Sequence, residues 1–308
     1  MSLIQGIFNG KLYTDQKSPG SANKTSLSSA LTRLAQVLTN ALSATTTVIP
    51  VLETMCGQGT TIGGSLTEFR DIISQIPSEY HSRIGICIDT CHSHAAGYDL
   101  VTPAGFQSFL QEFDDIVGLQ HLRALHLNDS KTPRESHRDL HANIGTGFLG
   151  LRAFHNIMNE SRLEGLPLIL ETPIDRPAAS SQNATANDIH EACASEEDSD
   201  PDSDADQGTK KKKKKKQPAK ASSAATVADP SVWAREIALL ESLIGMDAES
   251  AEFRSLEKKL ADEGKTMREK HQEQFERKAA TEEKKRVKEL EKGQKSLVDM
   301  MGKGKGKK

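Results

Sequence analysis

Apolar residues along the chain fall into two alternating kinds of segment. Short apolar runs occur at Thr47 to Leu52, Ile84 to Ile88, Leu122 to Leu125 and Leu166 to Leu170; they read as strands, and Ile84 to Ile88, bounded by turn residues, as one buried on both faces. Between them the apolar positions recur every three or four residues, which predicts amphipathic helices. Leu27, Leu31, Leu34, Val37, Leu38 and Leu42 form one stripe, with Thr25 or Ser26 as N-cap. Phe69, Ile72, Ile73 and Ile76 lie in a second, and Phe106, Phe109, Leu110, Phe113 and Val117 in a third. Leu149, Leu151, Phe154, Ile157 and Met158 give a fourth. Strands alternating with helices imply a parallel sheet with helices packed on it.

Each strand stops on a side chain able to hold a metal. The runs lead into Glu53, Asp89 with His92 close behind, His126, and Glu171. The intervals between these residues are each roughly one strand-plus-helix unit, about 31 residues in a barrel of ~250. The fold class read from this pattern is α/β: a partial TIM-type (β/α) barrel of four successive units, whose strand ends converge on one polar site. Carboxylates and imidazoles at the mouths of buried strands are costly unless a charge offsets their desolvation. A divalent cation would do so.

Composition changes the picture outside this core. Hydrophobic residues make up 36% of the chain and aromatics 4%, with mean hydropathy −0.53, so part of the 308 residues is expected to be solvated. Residues 1–24 are poorly defined, and Ile4 to Leu12, broken by Gly6 and Gly10, does not read as a strand. Residues 25–175 carry the half barrel. Residues 176–229 hold an acidic stretch, Glu196 to Asp206, and an unbroken run, Lys210 to Lys216; they are expected to be a disordered insertion. Order should return at Pro230, with a closing barrel helix over 230–246 whose face of Trp233, Ile237, Leu240 and Ile244 packs into the core. Residues 247–308 are a charged helical or disordered tail, its Ser255 to Leu297 part a solvated helix. Net charge is −3, and Cys56, Cys87, Cys91 and Cys193 form no disulfide framework, so a reducing compartment is expected. Neither a signal peptide nor an apolar run long enough for a bilayer is read in the sequence, so no membrane partner is expected.

The motifs resemble the endonuclease IV family of apurinic/apyrimidinic endonucleases, the family 2 AP endonucleases. They are Gly85-Ile86-Cys87-Ile88-Asp89-Thr90-Cys91-His92 with Ala95-Ala96-Gly97-Tyr98-Asp99, His126-Leu127-Asn128-Asp129-Ser130-Lys131, Arg138-Asp139-Leu140-His141 before Gly145, Glu53 with Gly57-Gln58-Gly59, and Leu168-Ile169-Leu170-Glu171-Thr172. The resemblance runs from about Pro19 to Glu171 and resumes at Trp233. It implies an eight-stranded barrel with three zinc ions, acting on double-stranded DNA with abasic sites and hydrolysing the phosphodiester 5′ to the abasic sugar. Glu53 would bridge the first and second zinc, Asp89, His126 and Glu171 would complete the second, and His92, Asp139 and His141 would hold the third. Glu53 and Glu171 are the catalytic candidates, one positioning the attacking water and the other accepting its proton. His94, His121, His137 and His155 are expected to be ordinary surface or helix histidines.

The chain departs from this family at the first zinc. Ser18 stands where a histidine is expected before Pro19-Gly20, and no histidine occurs before His81. A truncated product, an artefactual gene start and a degenerate paralogue would each give such a chain; the intact run of other ligands favours the artefactual start. Lys210 to Lys216 fits a nuclear import receptor, so the nucleus is the expected location, with the mitochondrion as a second, and a monomer is the expected state. Two further readings remain open: a non-catalytic DNA-binding remnant or scaffold using the lysine-rich segments, and a sugar-isomerase-like metal barrel.

Overall fold

The computed structural model describes residues 7–8, 25–177 and 226–302. Two compact units are present, one built from Met1–Pro173 with Arg235–Lys308 and the other from Ile174–Ala234.

In the larger unit the elements follow in the order β1 (Ile7–Phe8), α1 (Leu27–Ser43), β2 (Val51–Glu53), α2 (Leu66–Ile73), β3 (Gly85–Asp89), α3 (Thr90–Ala96), α4 (Pro103–Ile116), β4 (Leu122–Leu127), the short pair β5 (Asp129–Ser130) and β6 (His141–Ala142), α5 (Gly150–Met158) and β7 (Leu168–Leu170). β1, β2, β3, β4 and β7 form one sheet in that order, every pair parallel. The chain belongs to the α/β barrel class expected, and the sheet covers part of a barrel. Ile7–Phe8 pairs with Val51 and Leu52, which corrects the expectation that nothing before Ser18 forms a strand. Glycines flank this dipeptide, and two residues are too few to show periodicity.

Alternation along the strands separates two cores. Leu52, Ile86, Ile88 and Leu125 pack with the stripes of α1, α2, α4 and α5, whereas Val51, Cys87 and Ala124 are buried on the opposite face with Ile49 and Ile169. β7 is only partly buried, with Leu168 40% exposed; among the described residues it is the last strand of the sheet. Ser26 caps α1, its hydroxyl accepting from Ser29 N, and Val37 lies outside the buried stripe.

In the smaller unit, β8 (Asp175–Pro177) pairs antiparallel with β9 (Thr226–Ala228), and Asp229 N–H donates to Ile174 O. The expected disorder of 176–229 is therefore corrected at both ends, because ladder hydrogen bonds form from backbone groups and need no apolar side chains. Residues 178–225, with Glu196 to Asp206 and Lys210 to Lys216, lie outside the described residues, as does Ser18.

Next comes α6 (Ser231–Ser242), and its burial differs from the face expected. Of that face Leu240 is buried, but Trp233 is 36% exposed and Ile237 and, beyond the helix, Ile244 are exposed, while Glu236 and the following Leu243 are buried. Both faces have helical spacing, and the buried one is concealed by its central carboxylate. α7 (Ala251–Glu263) follows and is no solvated tail. Phe253 is fully buried, with the His155 ring edge-on at 5.2 Å and the Arg152 guanidinium 5.5 Å above it. α8 (Lys265–Gly302) starts where Arg268 Nη1 donates to Thr146 O at 2.6 Å, and its residues 277–288 are exposed.

Candidate metal centre

Parallel register brings the strand-end residues together. Asp89 pairs with His126 across β3 and β4, Glu53 ends β2, and Glu171 follows β7 directly. His126 Nδ1 lies 3.0 Å from Glu53 Oε1, 3.4 Å from Glu171 Oε2 and 3.8 Å from Asp89 Oδ2. Each of these four residues offers a ligand atom within 4.8 Å of the others. Asp89, His92 and His141 form a second such group, so the fully buried Asp89 belongs to both.

His92 reaches the site from a helix rather than from a strand exit. Asp89 ends β3 and caps α3, its Oδ1 accepting from His92 N at 2.7 Å, and this local turn places His92 beside the carboxylate. His92 Nδ1 donates to Thr54 O at 2.9 Å and His141 Nδ1 to Glu171 O at 3.2 Å. A carbonyl partner on Nδ1 leaves Nε2 as the free lone pair. Both Nε2 atoms then face Asp139 Oδ1, at 3.1 Å from His92 and 3.2 Å from His141. The structure thus gathers all seven candidates, Glu53, Asp89, His92, His126, Asp139, His141 and Glu171, around one polar rim.

The supporting residues carry roles that sequence reasoning missed. Asp89 N–H donates to Thr54 Oγ1 at 2.9 Å. The Thr90 hydroxyl donates to Asn128 O at 2.6 Å, and Asn128 N–H returns a bond to Thr90 Oγ1. Asn128 Nδ2 donates to Asp89 Oδ2 at 2.7 Å, and its Oδ1 accepts from Glu171 N at 2.9 Å. Asp129, fully buried, accepts from the backbone N–H groups of Ser130, Gly147, Leu149 and Gly150, closing the long loop that carries Asp139 and His141. Gly147 is needed there, because a Cβ would stand 2.3 Å from Asp129 Oδ1. The Asn128-Asp129 pair, one residue beyond His126 at the end of β4, was the available signal.

The other histidines stand apart from the cluster. His121 Nδ1 donates to Ile84 O, His155 Nε2 to Met246 O and His137 Nδ1 to Cys56 O. His94 and His121 lie in helical turns and are buried, and burial takes His94 down to about 4. Cys56, Cys87 and Cys91 are free and buried, and burial pushes all three thiols up, so they remain protonated.

Electrostatics within the cluster fit a bound cation. Burial opposes ionisation of Glu53, yet hydrogen bonds to His126 and His92 hold it down to about 2. Burial would likewise lower His92, but Asp89, Asp139 and Glu53 push it up to about 12. Against burial, His126 is raised by Cys87, Glu171 and Glu53 and His141 by Asp139 and Asp89. Asp89 is raised, chiefly by burial. Glu53 Oε2 and the Nε2 atoms of His92, His126 and His141 are buried without a hydrogen-bond partner. Ring nitrogens and carboxylate oxygens buried against one another in this way are costly unless protons or a cation lie between them, and nitrogen and oxygen ligands without thiolate suit a borderline divalent ion.

Comparison with known proteins agrees with this architecture. Over 157 residues the chain is 45% identical to apurinic-apyrimidinic endonuclease 1 of Saccharomyces cerevisiae, covering 51% of this chain and 42% of that one. It is 45% identical to apurinic-apyrimidinic endonuclease 1 of Schizosaccharomyces pombe over 159 residues, covering 52% and 46%. It is 43% identical to the probable endonuclease 4 of Clostridium botulinum over 155 residues, covering 50% and 54%. The chain therefore spans about half the length of the curated relatives it matches. The family model described as the xylose isomerase-like TIM barrel matches residues 8–194, more than half of the sequence and all of the strand ends that build the centre, and the chain belongs to that family.

Proposed function

We infer that the chain carries the metal-bearing part of a zinc-dependent apurinic/apyrimidinic endonuclease, which hydrolyses the phosphodiester 5′ to abasic sites in double-stranded DNA. The observation that carries this reading is the pair of ligand groups meeting at Asp89, in a chain whose relatives are named for that activity. Glu53, Asp89, His126 and Glu171 would hold one ion, and His92, Asp139 and His141 another. When bound, these ions make water acidic enough to attack at neutral pH and offset charge developing on phosphoryl oxygens. Glu53, which faces both His126 and His92, would position the attacking water. Glu171, whose side chain is 35% exposed, accepts its proton at the open side of the rim. With Ser18 standing where the resemblance expects a histidine, this polypeptide is expected to load two ions and to act slowly. Lys210 to Lys216 supports an import receptor as partner and the nucleus as location.

Purified protein, freed of metal and reloaded with zinc, is expected to bind two ions per chain and to nick an abasic duplex slowly, with no nicking in chelator. A folded chain that takes up no zinc overturns the reading. DNA binding that survives Glu53→Ala and Asp89→Ala but vanishes on deletion of Lys210 to Lys216 would favour the scaffold reading instead.

A further inference from the structure

We propose that Glu236, on the helix that follows the insertion, is a positioning residue for the metal centre, setting His141 against Glu171. The proposal rests on reading the strand-end cluster as a metal centre. Glu236 is 6% exposed and belongs to no ligand group. Its Oε1 accepts from Asn143 Nδ2 at 2.9 Å and from Ile144 N at 3.0 Å, and its Oε2 accepts from the Thr172 hydroxyl.

Asn143 and Ile144 lie just beyond His141, and Thr172 directly follows Glu171. One buried carboxylate therefore joins the two stretches of backbone that present these ligands. Between those stretches runs the bond from His141 Nδ1 to Glu171 O at 3.2 Å, which orients His141 so that its Nε2 meets Asp139. Asn143 Nδ2 also donates to Pro173 O at 3.1 Å, a second tie across the same junction. A carboxylate suits this task because its lone pairs serve three donors at once and it brings no donor of its own to be satisfied. Truncating it would take the shared acceptor away from donors on both loops. Asp129 secures the same loop to β5 and α5, whereas Glu236 secures it to the segment carrying Glu171, so the two carboxylates do different work.

The test uses the full chain. Wild type, Glu236→Ala, Glu236→Gln and Asn143→Ala are stripped of metal and titrated with cobalt(II), following the absorption of each bound ion, and then with zinc against a competing chelator. Circular dichroism monitors folding. Glu236→Ala is expected to weaken the ion at His92, Asp139 and His141 by about 10- to 100-fold, as loss of a supporting hydrogen bond does elsewhere, and to alter its cobalt spectrum. The other ion, which takes Glu171 alone from the tied segments, should weaken clearly less, and Glu236→Gln, which keeps Oε1 as acceptor, should recover most of the affinity. If Glu236→Ala does not fold, Asn143→Ala breaks the same link from the other side and should show the same selective loss. Unchanged affinity in the folded variants, or equal weakening of both ions, overturns the role of Glu236. Failure of the underlying metal reading shows differently, as a folded wild-type chain that binds neither ion.

Discussion

Asn128 is the residue on which the two walls of the centre meet. Its amide donates to Asp89 and accepts from the backbone of Glu171, so both functions of one side chain are used and neither can be inverted. Asn128→Ala leaves Asp89 Oδ2 and Glu171 N–H without these partners, which should lower the stability of metal-free protein by about 1–3 kcal/mol. Asn128→Asp should be worse: it can still accept from Glu171 N–H but sets a second carboxylate against Asp89, which is wholly buried. Urea unfolding of the two variants in chelator measures the order, and equal stability of Asn128→Asp and wild type would show that the amide proton does nothing. The ligands themselves were legible because metal-competent residues closing four apolar runs form a pattern. Asn128, Thr54 and Thr90 were not, because a hydroxyl or amide after a strand is also ordinary turn chemistry, and only the fold shows which carboxylate it faces.

The elements divide in the same way. Strands and helices of the half barrel were readable because their burial follows a period of two or 3.6. Where two periods overlap, sequence gives no decision: α6 has apolar residues at 233 and 237 yet buries Glu236 and Leu240, and α3 is too short to show a stripe at all. α7 was read as tail because charge dominates its composition, although one aromatic anchors it. Phe253 is fully buried under Arg152, which pairs with Glu257 at 2.8 Å. Phe253→Ala removes that anchor and should cost about 3–5 kcal/mol, seen as a lower denaturation midpoint. The metal ligands lie on other elements, so zinc affinity at temperatures where the variant remains folded should stay close to wild type. A loss below about 1 kcal/mol would mean that α7 contributes little to the packed unit.

For the molecule as a whole, the centre couples metal, protons and stability. In the metal-free chain the imidazoles compensate the carboxylates: Glu53 is held down to about 2 by His126 and His92 against burial, and His92 is pushed up to about 12 by Asp89, Asp139 and Glu53. The signs are opposite for the two groups. The contribution of Glu53 is present above its unfolded value of 4.5 and is lost as pH falls through about 2. That of His92 is complete below its unfolded value of 6.5 and declines as pH rises from there toward about 12, by about 1.4 kcal/mol per pH unit for each proton concerned. Metal-free protein should therefore become less stable as pH rises above 6.5. Ion binding needs those imidazoles neutral, so zinc affinity should change the other way and strengthen over the same range, with protons released on binding. Calorimetric titration with zinc at pH 7.5 in buffers of different ionisation enthalpy measures that release directly, and chelator-treated protein unfolded by urea at pH 6.5 and 8.5 measures the stability change. Buffer-independent heats together with a flat stability profile would mean that the imidazoles are already neutral without metal, and that the carboxylates around them are balanced by something other than His92, His126 and His141.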